Sequence, residues 1–285
     1  MVYMGNMNVK QHSLLVAGTG IALGLLAIVN VAGATHSWNN ASGNPYHWAR
    51  ASNPFTLKLG DNVTSAWDVY LATTTAHWSE SSVLNTTIVA GNTNNTKGRY
   101  TPKQCAPTLG RGEVCNYRYG ANGWLGMATI WASGTHITQG TAKMNDTYFN
   151  TASYNTLAWK NLVMCQEVGH IFGLDHQDEK SDNANLGTCM DYTNNPDTNQ
   201  FPNAHDYEML EDIYAHLDSP TTVSASTPPG SGRAAEDSND SDDPRDWGRE
   251  IRRSADGRAS LFEKDFGNGQ KVLRHVIWAE PRGNH

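Results

Sequence analysis

The chain has 285 residues, and removal of its apolar N-terminal stretch after Ala34 would leave 251, enough for one large domain or a domain with an appendage and too many for a disulfide mini-scaffold. Lys and Arg total 21 against 28 Asp and Glu, a formal net charge of -7 that excludes the basic excess of a general nucleic-acid binder. Charge is unevenly placed: residues 1–217 carry 11 basic and 16 acidic side chains, whereas the 68 residues from 218 to 285 carry 10 and 12, so two compositional regimes share the chain.

Lys10 precedes the apolar stretch 14–31, which runs into Ala32-Gly33-Ala34, a small-x-small cleavage pattern ahead of the polar THSWNN. Residues 1–34 therefore read as a secretory signal peptide. An uncleaved membrane anchor is the alternative, opposed by Gly18, Gly20, Gly24 and Asn30. Either way the body is expected outside the cytoplasm, secreted or extracellular, and four cysteines suit that compartment. Three pairings are possible, with four buried thiols as the alternative. Cys105 and Cys115 flank a Pro/Gly-bearing loop whose closure would contribute on the order of 3 kcal/mol, and Cys165 and Cys189 would then pair by default.

FTLKL at 55–59 alternates as a strand before a Gly-Asp-Asn break, and 64–78 follows as a helix on which Trp67, Leu71 and Trp78 mark a core-facing stripe. A strand is expected at 83–90, then a long Asn/Gly/Pro-rich loop at 91–122 and two strands at 124–131 and 138–145. Residues 154–172 predict a helix ended by Gly173, and 204–216 a last helix on which Tyr207, Leu210, Ile213 and Tyr214 recur at three and four. The low-complexity run 218–246 reads as a disordered linker. Beyond it SLFEKDF and KVLRHVIWA alternate around Gly267-Asn268-Gly269, a C-terminal β-hairpin extension at 247–285 that should lean on the body or a partner, since a lone hairpin is marginal in water. The fold class expected is α+β.

The stretch CQEVGHIFGLDHQD carries the chemistry. Gln166 and His170, four apart, project from one helical face, and Glu167 sits one step round, within reach of a water at the same point. Gly173 lets the chain leave the helix so that His176 can swing back. Two imidazoles and an amide oxygen then converge, the three-ligand arrangement with an open position that suits catalytic zinc, with the adjacent carboxylate taking a proton from the polarised water.

These residues resemble the metzincin clan of zinc metallopeptidases, whose motif is H-E-x-x-H-x-x-G-x-x-H followed by a Met-turn. The chain reads Q-E-x-x-H-x-x-G-x-x-H, departing only at the first position, and supplies GTCMDYT with Met190 fourteen residues after His176. The Met190-Asp191-Tyr192 order is similar to the Met-turn of the astacin, serralysin and pappalysin branches, where the tyrosine lies near the metal. The resemblance covers roughly 45–217 and implies a zincin-like mixed sheet with a long helix in the N-terminal half, a motif helix, a Met-turn and a C-terminal helix. It implies Zn²⁺ as cofactor, Gln166, His170 and His176 as ligands, Glu167 as general base and Tyr192 beside the metal. In such a fold Met190 lies beneath the site, so a Cys165–Cys189 bond would staple the motif helix to its floor. The implied activity is that of an exported endopeptidase, monomeric, acting on extracellular protein or peptide, with membrane contact only through an uncleaved N-terminus.

Gln166 is the departure that matters, because a neutral amide is a poorer zinc ligand than imidazole. The alternatives are a catalytically weak or inactive metal- or protein-binding module, a peptidase that recruits another histidine such as His136 or His205, and a helix whose histidines are merely hydrogen-bonded core. Retention of Glu167 favours the enzyme, since a ligand-only module has no use for a base. The acidic run Asp178, Glu179 and Asp182 reads as a solvated loop rather than a calcium site. The N-x-S/T triplets at Asn40, Asn62, Asn85, Asn94, Asn145 and Asn239 read as exposed polar loops.

Overall fold

The computed structural model describes residue 1 and residues 36–94, 103–226 and 240–279; the expected signal peptide and the middle of the linker, 227–239, lie outside the described residues. Residues Ala34–His285 form one compact unit. Its strands are β1 (His47–Trp48), β2 (Phe55–Asn62), β3 (Leu84–Ala90), β4 (Gly112–Tyr117), β5 (Trp124–Ser133), β6 (His136–Asn145), β7 (Arg249–Arg253), β8 (Ala259–Gly267) and β9 (Gln270–Trp278). The helices are α1 (Asp68–Trp78), the single turn α2 (Asp146–Phe149), α3 (Leu157–His170) and α4 (Ala204–Ile213).

One nine-stranded sheet runs in the order β3-β2-β4-β6-β5-β9-β8-β7, with β1 pairing the start of β6. It is mixed. β2 pairs β3 and β4, and β4 pairs β6, all in parallel, whereas β5 to β9 are joined antiparallel. A large mixed sheet with few helices is an α+β architecture. The loop expected at 91–122 gains a correction: it contains β4, whose GEVCNY is buried along most of its length and inserts between β2 and β6. Its polar Glu113 and Asn116 hid it from a hydrophobicity pattern.

Period-2 alternation sorts the sheet's two faces. Leu125, Ala128, Ile130, Leu273 and Ile277 join the main core with Val163 and Val168 of α3 and Trp78 of α1, while Trp124, Met127, Val276, Trp278 and Phe262 form a second cluster around Trp247. Trp67, Leu71 and Trp78 are all buried, as the helical stripe predicted. α3 starts on Thr156, which accepts the Trp159 N–H, and α4 on a capping box of Asn203 and Asp206.

The hairpin does more than lean on the body, because β9 pairs with β5 along its length, Trp124 to Ser133 against Gln270 to Trp278. Both described ends of the expected linker, 218–226 and 240–246, make contacts with the body. Thr222 and Val223 donate to the Ala49 carbonyl, and Asp240 is fully buried. Asp240 Oδ2 lies 3.0 Å from Lys143 Nζ and Oδ1 2.9 Å from Arg274, with Thr141 donating at 2.7 Å. Burial opposes the Asp240 charge, yet the two cations outweigh it and hold the carboxyl below its ordinary range. Two N-x-S/T asparagines also correct the exposed-loop expectation: Asn62 is buried against Glu113, and Asn145 is buried while its side chain caps α2.

Both disulfides form as expected, Cys105–Cys115 and Cys165–Cys189, each with Cα atoms 5.9 Å apart. Two disulfides suit an oxidising compartment. Among the described residues no helix is long and apolar enough to cross a membrane.

Removal of the buried anion strands two cations, so Asp240→Ala is expected to cost about 3–5 kcal/mol near neutrality. The folded carboxyl titrates below its unfolded value, so its contribution is complete above about pH 4 and lost as pH falls through the depressed folded value. Urea unfolding of both proteins in the neutral range and in acid checks this, and a difference that does not shrink in acid would count against the charge pairing.

Candidate metal centre

α3 is buried from Asn161 onward, and its last two turns carry Cys165, Gln166, Glu167 and His170 inward. The helix must stop abruptly for His176 to return. Gly173 makes that possible: its φ is +97°, and a Cβ there would lie 2.1 Å from the Tyr46 carbonyl oxygen, so no other residue fits. Leu174 then bridges Ser37, and its carbonyl accepts from His170 Nδ1 at 2.9 Å. That bond commits the Nδ1 proton and leaves the Nε2 lone pair for the site, the usual device for presenting an imidazole to a metal. Trp38 stacks on the His170 ring at 5.0 Å.

The residue that joins the two motif histidines is one the motif does not contain. His170, His176 and His275 are all buried and present ligand atoms that lie within 4.8 Å of one another, with ring centroids 4.2–4.6 Å apart. His275 comes from β9. On that strand it shares a face with Leu273 and Ile277, the face turned to α3, and its register places it beside Ala128 on β5 and Leu261 on β8. The proposed substitutes lie elsewhere. His205 packs its ring on His36 at the first turn of α4, and His136 faces Asp218.

Gln166, expected at the metal, is buried and donates its amide N–H to the Cys189 carbonyl at 2.8 Å, tying α3 to the segment that carries Met190; its Oε1 has no hydrogen-bond partner among the described residues. Glu167 is buried with Oε2 3.3 Å from His275 Nδ1, and Tyr192 Oη lies 3.2 Å from His275 Nε2. Tyr192 also packs on His176, ring centroids 4.1 Å apart. Met190 lies against the underside of α3, where a Cβ on Gly169 would come 2.7 Å from its sulfur. Cys165–Cys189 links the same two elements one residue earlier in each.

Burial dominates the electrostatics. It raises the Glu167 carboxyl well above its ordinary value and raises the Tyr192 phenol. Burial also lowers His170 and His275 well below the usual imidazole range, helped by the neighbouring imidazoles. Neutral imidazoles are the form that binds metal. Asp175 behaves differently: burial opposes its charge, but hydrogen bonds from His176 and Arg252 prevail and keep it ionised. Arg252 of β7 pairs with both Asp175 oxygens at 2.5–2.7 Å and with Glu179 at 3.0 Å. Glu179 is therefore part of an ion pair, and Asp178 accepts the Lys180 N–H, as an ordinary loop carboxylate does.

The donor set fits a zinc-type ion. His170 Nε2, His176 Nε2, Gln166 Oε1 and Glu167 Oε1 are buried without hydrogen-bond partners among the described residues, in an interior where polar atoms are normally satisfied. A cation and its water would satisfy such a set, and imidazole nitrogen is a preferred zinc donor. The chain matches no protein-family model and no curated protein.

A periodic reading of KVLRHVIWA already places His275 on the Leu273/Ile277 face, and a histidine on an otherwise apolar strand face was the available signal. It lies 99 residues beyond His176, across a low-complexity run.

His275→Ala is expected to weaken zinc retention at least about a hundredfold against a competing chelator, the scale on which metal sites respond to lost support. Gln166→Ala should have a smaller effect, and His205→Ala none. Equal losses in the first two would place the Gln166 oxygen on the metal as well.

Proposed function

We propose that this protein is an exported zinc-dependent peptidase of metzincin type, with His170, His176 and His275 holding the metal and Glu167 as the proton acceptor. The observation that carries the reading is the convergence of three buried imidazoles on a helix-borne glutamate directly beside them. A zinc ion bound there would supply a Lewis acid that polarises a peptide carbonyl and acidifies a water.

The chain's own groups account for the proton movements. Glu167, pushed up by burial, is a stronger base than an exposed carboxylate, and so can take a proton from an attacking water and return it to the leaving amine. Tyr192 keeps its phenolic proton and can donate a hydrogen bond to developing negative charge once it releases His275. Asp175, held by Arg252, contacts the His176 ring at 3.3 Å and fixes its orientation. The substrate would be an extracellular protein or peptide and the working form a monomer.

A second reading, a catalytically silent metal-binding module, rests on the tightness of the centre. Glu167 and His170 are 0 % exposed and His275 1 %, and the pocket beside Tyr192, lined by Leu125, Trp159, Thr193 and Trp278, has a volume of only about 10 Å³, close to that of one water.

Glu167→Ala separates the two. The enzyme reading expects zinc content near wild type and casein hydrolysis lowered at least about a hundredfold. Chelator-insensitive hydrolysis, or none by the wild-type protein, would favour the silent module.

Replacing Cys165 and Cys189 together by Ala is expected to loosen the floor of the centre, so that zinc is lost at a lower chelator concentration than from the Cys105/Cys115 double variant at matched Tm. Equal retention would make the inner disulfide a general brace.

A further inference from the structure

A second set of imidazoles gathers on Asp218, the residue that follows α4 at a distance of five positions. His47 Nε2 lies 3.5 Å, His216 Nε2 3.4 Å and His136 Nε2 3.4 Å from the same carboxylate oxygen, Oδ1, and the Nε2 atoms of His47 and His216 are 3.2 Å apart. The geometry points to a metal site for a zinc-type divalent cation, held by His47, His216 and Asp218, with His136 flanking the carboxylate.

Three observations carry this. Zinc–ligand bonds of about 2.0–2.1 Å set tetrahedral donors about 3.3–3.4 Å apart, and the separations among His47, His216 and Asp218 bracket that spacing. The donors are also oriented from outside. His47 Nδ1 bonds the Pro45 carbonyl at 2.9 Å, so its proton is committed there and the Nε2 lone pair faces the cluster. Asp218 Oδ2 is occupied by Arg50 at 2.8 Å, which leaves Oδ1 as a single donor oxygen turned inward. Without a cation, the His47 lone pair would face both a carboxylate oxygen and another imidazole nitrogen, and a single His216 proton cannot bridge both contacts.

This three-residue site leaves the fourth position of a tetrahedral ion to a water. Its position explains what it would hold. Trp48, next to His47, donates to the Ile171 carbonyl at 2.8 Å, and Tyr214, two residues before His216, donates to the Phe172 carbonyl at 2.8 Å. Both donors brace the turn that carries the chain from His170 to His176. A cation joining β1 to the segment that follows α4 would therefore pin the back of the first centre without sharing any of its residues.

The test counts metal in the full-length protein, equilibrated with zinc, freed of excess and measured by mass spectrometry. Two zinc ions per chain are expected for wild type, one for His216→Ala, one for His170→Ala and none for the double variant. His216 is half-exposed, so its truncation does not threaten folding, and circular dichroism verifies that. Cobalt-loaded His170→Ala should keep the absorption of a tetrahedral nitrogen/oxygen site and lose it on adding His216→Ala. Unchanged zinc content in His216→Ala, or a wild-type protein with one zinc that His170→Ala removes, would overturn the second site. A wild-type zinc lost with His216→Ala but kept in His170→Ala would sustain it while removing the first.

Discussion

The pairing of β9 with β5 is the contact on which the candidate centre depends. An antiparallel ladder fixes the face of every side chain along its length, and a slip of one residue would exchange Arg274 and His275 between the two sides of the sheet. In the observed register His275 faces α3 and Arg274 faces Asp240. The same ladder thus delivers a neutral imidazole to one buried site and a cation to another. Hydrophobic neighbours alternate with them, Leu273 and Ile277 on the helix side and Val272 and Val276 on the other, so a slipped register would misplace apolar groups as well as both functional ones.

Buried charge reinforces that register from two directions. Asp240 sits between Lys143 of β6 and Arg274 of β9, and Arg252 of β7 reaches Asp175 in the loop between the two motif histidines. Such pairs contribute little net stability once desolvation is counted, but breaking one partner is costly, so they act as locks on arrangement. The Asp175 lock bears directly on the centre, since the carboxylate that Arg252 holds is the one that contacts His176. The tail is consequently tied to the cluster by a strand ladder, an ion pair and the His275 side chain.

This arrangement bears on the role of Gln166. The amide retains one structural task, its N–H bond to the Cys189 carbonyl beneath α3, which an imidazole at that position would not make in the same way. A third imidazole arrives in the cluster from β9 while the helix keeps its bond to the Cys189 carbonyl, with the adjacent disulfide holding the same two segments. Burial has a chemical consequence too, because the desolvation that lowers His170 and His275 also raises the Glu167 carboxyl.

Local periodicity and turn chemistry made much of the scaffold legible. The strands β2, β3, β5 and β6, the helices α1, α3 and α4, and the C-terminal hairpin all follow from spacing of two or three to four and from glycine punctuation, because each of these signals acts within a few residues. His170, Glu167, His176 and the turn at Gly173 were equally readable, since one helix and one tight turn place them. β4 escaped notice because its buried polar residues find partners only in other strands and segments, as Glu113 does in Asn62. β7, with REIRR, escaped because its arginines pair with carboxylates in distant loops or with a glutamate of its own strand. The strand face that carries His275 was legible from its spacing, but its place in the cluster was not, for the same physical cause: which histidine joins the cluster is decided by the register of a ladder between segments more than a hundred residues apart, and the amino-acid order specifies only that the hairpin has a face to bury, while tertiary packing chooses what it is buried against.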